Sequence, residues 1–265
     1  MKRILLPLFI LVITLSQHSL DAANLYAFLV CDTHASEIEE SVEEDYKNMK
    51  KEVRRICRYT GLRPRIRRYT SYRVDDGIID AIKRLKVDED DVVIFYYSGH
   101  GMRFDSQDDP WPVLDFEYGN RQTTQWEITQ ELISKGPRLI LSIADCCNNF
   151  ITKSLITKGN YRDRRNNYRK LFLDSSGTYI ASGASPGEYS FGLNDHWWSA
   201  GIRAGGFFTN ALLETLRHET NQENTDLTWD VIFELAIQKT HEYQLRDEQD
   251  PTIYQTPQYS YIDHH

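Results

Sequence analysis

Residues 91–101 (DVVIFYYSGHG) constrain the fold more than any other part of the chain. An unbroken apolar and aromatic run of this length is typical of a strand that is covered on both faces. The two glycines at its end allow the backbone to turn sharply, with His100 between them. In an open parallel sheet, ligands bind outside the carboxyl ends of the strands. The run therefore predicts a buried strand with a functional histidine at its carboxyl end.

A second buried strand is predicted at residues 138–144 (RLILSIA), directly before Asp145, Cys146 and Cys147. Four further strands are predicted at 24–31, 62–69, 177–184 and 255–262. Helical spacing of apolar residues predicts helices at about 41–59, 74–85, 126–133, 207–219 and 228–243. Strands that alternate with helices favour an α/β fold with a mostly parallel sheet.

Length and charge narrow the class of protein. A chain of 265 residues most simply forms one domain. The net charge of −8 gives no reason to expect nucleic-acid binding. One segment departs from this balance, since residues 153–170 carry seven Lys or Arg and a single acid, Asp163. We interpret that segment as a solvated loop rather than as a nucleic-acid site.

The N-terminus has the layout of a secretory signal peptide. Lys2 and Arg3 precede an uncharged run over residues 4–15, and residues 16–23 are mostly small or polar. The run is shorter than the ~20 apolar residues that a membrane span needs. We therefore predict that residues 1–23 are removed, that the protein is exported to the periplasm or secreted, and that it then has no stable membrane association. An uncleaved membrane anchor is the alternative.

The four cysteines indicate chemistry rather than a disulfide framework, because two of them, Cys146 and Cys147, are adjacent. A disulfide between Cys31 and Cys57 is one alternative, although two free thiols are favoured. A histidine close to a cysteine can activate it as a nucleophile, and His100 and Cys147 would meet if their strands are neighbours. The alternatives are a structural cysteine with an ordinary hydrogen-bonded histidine, or a zinc site. Adjacent cysteines do not readily both ligate one tetrahedral ion.

Residues 98–101 (SGHG) and 145–147 (DCC) together resemble the catalytic motifs of the caspase–metacaspase group of cysteine proteases. The metacaspase side fits better, because metacaspases carry Ser-Gly-His-Gly and then Asp-x-Cys. Residues 44–49 (EDYKNM), 180–184 (IASGA) and 255–260 (QTPQYS) are also similar to metacaspase segments. The resemblance extends over nearly all of the chain after residue 23.

This resemblance implies a caspase-like α/β/α sandwich with a mostly parallel central sheet of about six strands. Residues 24–265 would form one peptidase domain. Its parts would be a large-subunit-like region at 24–150, a basic linker at 151–176 and a small-subunit-like region at 177–265. Some family members cleave this linker, so the resemblance also predicts self-cleavage between Lys153 and Lys170.

The resemblance assigns a catalytic dyad and a class of substrate. Cys147 would attack the scissile carbonyl of a protein or peptide, and His100 would serve as general acid and then as general base. The backbone N–H groups of Cys147 and Gly101 would hold the oxyanion.

Metacaspases cleave after Arg or Lys because their primary pocket is acidic. The resemblance places Asp45 and Asp145 in that pocket, with Ser98 beside them and Glu188 as a third acid. Two carboxylates suit a guanidinium group, which binds them bidentately. The alternative for Asp45 is a solvated residue in the first turn of a helix.

The chain also departs from the family pattern. Residues 148–150 are Asn-Asn-Phe, where the family often has His-Ser-Gly, and residues 124–127 lack an acidic calcium-binding pair. No metal or other cofactor is expected, although Asp108, Asp109 and Asp115 are oxygen ligands of the kind that calcium accepts. Two other functions stay open: an inactive caspase-like binding or scaffold module, and a caspase-fold peptidase that prefers small or acidic residues.

Overall fold

A computed structural model describes residues 22–104, 107–116, 118–119, 122–148, 165–193, 204–222, 226–244 and 255–264. The strands are β1 (Asn24–Cys31), β2 (Arg63–Thr70), β3 (Val92–Ser98), β4 (Gly101–Met102), β5 (Val113–Leu114), β6 (Thr123–Thr124), β7 (Leu139–Asp145), β8 (Gly177–Ser182), β9 (Gly192–Leu193), β10 (Gly205–Gly206) and β11 (Gln258–Ile262). The helices are α1 (Glu39–Thr60), α2 (Gly77–Lys83), α3 (Gln125–Ile133), α4 (Arg165–Arg169), α5 (Phe207–Glu219) and α6 (Trp229–Gln244).

Six strands form the central sheet in the order β11-β8-β7-β3-β1-β2. All neighbouring strands are parallel except β11, which runs antiparallel to β8. Every residue of β3 and β7 is buried, as the unbroken apolar runs predict. The predicted α/β/α sandwich with a mostly parallel sheet of six strands is therefore confirmed.

Helices cover the two faces of the sheet with separate apolar cores. One core packs α1, α4, α5 and α6 against side chains such as Ala27 and Leu29 of β1. The other packs α2 and α3 against Phe28 and Val30, which alternate with them along the same strand. Because both faces are apolar, the strand shows no polar alternation in the sequence.

The prediction of a solvated loop over residues 153–170 is wrong for its last part. Helix α4 continues into a π-helical turn at Lys170–Asp174. Tyr168 in this part is fully buried against the first core, together with Leu171 and Phe172 directly after it. Their helical spacing gives the segment one apolar face, which outweighs its basic composition. Residues 149–164 lie outside the described residues.

Two further expectations concern export and thiols. The predicted signal peptide lies almost entirely outside the described residues, and no helix within the described ranges is long and apolar enough to cross a membrane. All four cysteines are described and none forms a disulfide, so Cys31 and Cys57 are free thiols.

Candidate active site

The two strand ends that carry the candidate dyad lie side by side. Strands β3 and β7 are paired in parallel, and Ser98 is the register partner of Asp145. His100 and Cys147 each follow two residues after this pair. Adjacent strands are about 4.8 Å apart, so the pairing brings the histidine turn and the cysteine turn to one edge of the sheet.

Gly101 allows the two turns to approach closely. A Cβ atom at this position would lie 2.5 Å from the carbonyl oxygen of Cys147 and 2.6 Å from Sγ of Cys146. Only glycine fits this contact without a shift of the backbone. The residue predicted as an oxyanion donor thus lies directly against the turn that carries Cys147.

The loop after β1 and the tyrosine before the turn hold His100. Nε2 of His100 lies 3.2 Å from the carbonyl oxygen of Ser36. A carbonyl only accepts hydrogen bonds, so Nε2 carries the proton and Nδ1 is the acceptor of the neutral ring. Beneath the turn, the hydroxyl of Tyr97 donates to the carbonyl of His100 over 2.6 Å. The ring is therefore oriented to take a proton at Nδ1.

The structure separates the two adjacent cysteines. Cys146 is buried in the apolar core that also holds α2 and α3, and burial raises the pKa of its thiol. Cys147 is half-buried and its thiol donates to the carbonyl of Ser190 over 3.7 Å. Burial raises the pKa of Cys147 as well, so the thiol needs a base to become a nucleophile.

Asp45 of α1 and Asp145 of β7 form a pair of buried acids beside this strand end. They are 1% and 5% exposed, respectively. Asp45 accepts hydrogen bonds from the hydroxyl of Ser98 and from the backbone N–H of Gly206, both over 2.8 Å. Ser98 thus contacts the acidic pair, where the sequence predicts it.

Helix α5 starts at this pair and stabilises it. Asp145 accepts from the backbone N–H and the hydroxyl of Thr209, over 2.7 and 2.6 Å, and from the hydroxyl of Ser190. The free N–H groups and partial positive charge of a helix N-terminus favour negative groups. The arrangement therefore supplies donors, but no full charge, to two carboxyl groups.

The electrostatics of the pair are unfavourable. Burial raises the pKa of both carboxyl groups, and the nearby Asp145 raises that of Asp45 further. No Lys, Arg or His in the described part of the chain forms an ion pair with either acid. A carboxylate has about four acceptor positions, so each keeps capacity for another donor. Within the described residues, the pair of acids therefore has hydrogen-bond donors but no cationic partner.

Glu188 lies elsewhere in this region and has other partners. Its carboxylate accepts from the backbone N–H and the hydroxyl of Thr256, over 2.6 and 2.8 Å. It ties the loop after β8 to the segment before β11. Its role as a third pocket acid stays a prediction.

Four residues that shape the site were not predicted from the sequence: Ser36, Ser190, Gly206 and Thr209. The predicted start of a helix at residue 207 was the one signal for Gly206 and Thr209, since helix N-termini attract carboxylates. Ser36 and Ser190 lie in loops, which carry no periodic pattern. Gln255 lies in the segment 255–260 that resembles a metacaspase motif, but that resemblance gave it no role.

The described residues contain no group of three or more His, Cys, Asp or Glu side chains that could hold a metal ion. Asp109, a candidate calcium ligand, accepts from the backbone N–H of Trp111 over 2.9 Å and from the side chain of Gln107 over 3.1 Å. It thereby shapes the loop between β4 and β5.

Comparisons with known proteins agree with the fold. The family model for the caspase domain matches residues 22–261. A crystal structure of caspase-1 from Spodoptera frugiperda is similar in fold, with a TM-score of 0.52 and 15% sequence identity over 90% of this chain and 85% of that one. No functionally curated protein matches the chain.

Proposed function

Because the chain belongs to the caspase-domain family of cysteine peptidases, we propose that it is an exported endopeptidase that cleaves after Arg or Lys. The observation that carries the proposal is the buried pair of acids Asp45 and Asp145, beside the strand end that bears Cys147. A substrate guanidinium would supply the missing positive charge and would bind the carboxylates with charge-assisted hydrogen bonds. Both acids are covered, so the substrate must displace part of the wall around them.

In the proposed reaction, Nδ1 of His100 takes the proton of the Cys147 thiol. The thiolate attacks the scissile carbonyl, and the backbone N–H groups of Cys147 and Gly101 hold the oxyanion. The imidazolium gives its proton to the leaving amine, and a thioester forms. Water then attacks the thioester while His100 accepts its proton, which releases the acid and returns the proton to the thiol.

A panel of fluorogenic peptides with Arg, Lys, Asp or Ala at the cleaved position tests this function. The protein is assayed under reducing conditions, with and without calcium. We expect turnover after Arg and Lys, complete loss in Cys147→Ala, and retained turnover in the matched variant Cys146→Ala. Turnover only after Asp or Ala would contradict the acidic pocket, and no turnover at all would favour an inactive binding module.

Self-cleavage is proposed for a shorter segment than the sequence alone suggests. A protease binds its substrate in an extended form, whereas Arg169 and Lys170 lie in helical backbone next to the fully buried Leu171 and Phe172. We therefore place the cleavage sites at basic residues before α4, among Lys153, Lys158, Arg162 and Arg164.

Incubation of purified wild type and Cys147→Ala, followed by N-terminal sequencing of the fragments, tests this proposal. Cleavage of the wild type alone, before residue 165, is expected. Intact wild type, equal cleavage of both proteins, or cuts at Arg169 or Lys170 would each contradict it.

Export is supported by the basic and apolar N-terminal pattern of residues 2–15 and by the family match, which begins only at residue 22. Expression of the full chain with analysis of the released protein tests this prediction. The mature N-terminus is expected near Ala22 or Ala23, and retention of the full-length chain in the membrane would favour the anchor instead.

A further inference from the structure

Gln255 makes three hydrogen bonds behind the active site. It is fully buried and lies just before β11. Its Nε2 donates to the carbonyl of Gly183 over 2.8 Å and to the hydroxyl oxygen of Ser190 over 2.9 Å. Its Oε1 accepts from the backbone N–H of Phe191 over 3.1 Å. Because a carbonyl only accepts and an N–H only donates, these partners fix the orientation of the amide.

This amide determines where the proton of Ser190 points. A hydroxyl has one proton, and the oxygen of Ser190 already accepts from Gln255. The proton is therefore donated to Oδ1 of Asp145. The carbonyl of the same serine accepts from the Cys147 thiol. Ser190 thus contacts both the pocket acid and the nucleophile, and Gln255 holds it from behind.

We propose that Gln255 is a positioning residue of the active site, which places Ser190 against Asp145 and Cys147. This inference deepens the proposed function and rests on it for the nature of the substrate. Gln255 itself contacts neither the acid nor the thiol by hydrogen bond, so its effect is transmitted through Ser190.

A second connection holds the same segment independently. The residue after Gln255, Thr256, binds the carboxylate of Glu188 through its N–H and hydroxyl and accepts from the hydroxyl of Ser185 over 2.8 Å. A change at Gln255 therefore leaves the segment attached to the loop after β8. Removing the amide of Gln255 thus tests the position of Ser190 and not the attachment of the C-terminal segment.

The test uses Gln255→Met, which keeps the length of the side chain and removes its polar groups. The matched control is Gln258→Met, since Gln258 donates to the carbonyl of Pro110 over 2.8 Å at an exposed position. We expect Gln255→Met to lower kcat/KM for an Arg peptide about tenfold, mainly through KM, as expected for a weakened contact to a charged group. The control stays within about twofold. Equal effects in both variants would overturn the inference.

A double-mutant cycle with Ser190→Ala separates positioning from general destabilisation. If Gln255 acts through Ser190, Gln255→Met causes no further loss of Arg-over-Ala selectivity in the Ser190→Ala background. Additive losses would contradict this. If Gln255→Met does not fold, Gln255→Asn, which keeps the amide but shortens its reach, takes its place in the same cycle.

The rate of Cys147 alkylation by iodoacetamide keeps this inference separate from the proposed function. If no peptide is cleaved by the wild type, the proposed function fails. A changed alkylation rate in Gln255→Met but not in Gln258→Met would still support the positioning role. Unchanged alkylation in both variants would refute it.

Discussion

Helix α1 carries two buried acids whose surroundings are opposite. Asp45 and Glu52 are both 1% exposed, and they lie about two turns apart. Glu52 accepts from Nε of Arg217 over 2.8 Å and is paired with a second arginine, Arg55. Asp45 instead faces another acid, Asp145. Burial alone therefore does not distinguish a structural acid from one that we propose to bind a substrate, whereas the presence of a cation partner does.

The structural acid joins three helices. Arg217 lies on α5, and Tyr168 of α4 donates its hydroxyl to Glu52. The cation is permanent, so the cluster stabilises the folded state. Among the described residues, Asp45 and Asp145 accept hydrogen bonds from neutral donors alone, which is why we propose that they bind a cationic substrate group. Five substitutions test this difference between the two acids, from the largest expected effect to the smallest.

Asp145→Asn should change activity most. The variant loses one carboxylate that would bind a substrate guanidinium, so we expect kcat/KM for an Arg peptide to fall about a hundredfold or more. Cleavage of an Ala peptide should change much less. The measurement is kcat/KM for the Arg peptide divided by kcat/KM for the Ala peptide, in the variant and in the wild type.

The control for that experiment is Glu52→Gln, the same chemical change at the other buried acid. It should leave the ratio of Arg to Ala cleavage unaltered in the folded protein. If Asp145→Asn also leaves the ratio unaltered, the acidic pair does not determine specificity.

Glu52→Gln should instead reduce stability most. It removes the negative charge that two arginines and Tyr168 share, and breaking one side of a buried ion pair is strongly destabilising. The arginine side chains are 17% and 24% exposed, which reduces the loss. We expect the free energy of unfolding to fall by about 2–3 kcal/mol. Urea denaturation measures this, and an unchanged free energy of unfolding in Glu52→Gln would contradict the comparison.

Asp45→Asn should affect stability with the opposite sign and in a pH-dependent way. Burial and Asp145 raise the pKa of Asp45 in the folded state. The folded protein then retains a proton that the unfolded chain has lost, so its stability falls as the pH rises from the unfolded pKa of about 4 toward the raised value. The amide of Asn does not ionise, so the variant does not lose stability in this way as the pH rises. The stability of the variant relative to the wild type should therefore increase as the pH rises above about 4.

Urea denaturation at several pH values measures this difference. The control is again Glu52→Gln, because it also replaces a buried acid of α1 by its amide. Glu52→Gln is the same acid-to-amide change beside two arginines instead of beside a second acid. If the free energy of unfolding of Asp45→Asn differs from that of the wild type by the same amount at every pH, the ionisation of Asp45 does not affect stability.

The same helix shows which parts of the site can be predicted from sequence. The apolar face of α1 and the strand ends at His100 and Cys147 follow from local periodicity, so they were predicted from short windows. The bond between Asp45 and the N–H of Gly206 joins residues 161 positions apart. Such a contact depends on how loops are placed by the whole fold, and no local pattern specifies it.

Tyr168 illustrates a different kind of failure. Tyr168, within the predicted loop, and Leu171 and Phe172, directly after it, occur at helical spacing, which is a local signal. The basic residues around them dominated the composition of the segment, and the predicted loop followed from that composition. Apolar spacing was the better guide, since three buried side chains outweigh the exposed charges.

The smallest expected effect concerns which arginine stabilises Glu52. Arg217 joins α5 to α1, whereas Arg55 lies one turn from Glu52 on the same helix and is the more exposed of the two. A pair within one helix contributes about 0.3–0.5 kcal/mol, so Arg55→Met should lower the free energy of unfolding by less than about 1 kcal/mol. Arg217→Met should cost more, because it also removes the link between two helices. Urea denaturation of both variants compares them, and an equal or larger loss in Arg55→Met would show that Glu52 is held within α1 rather than between helices.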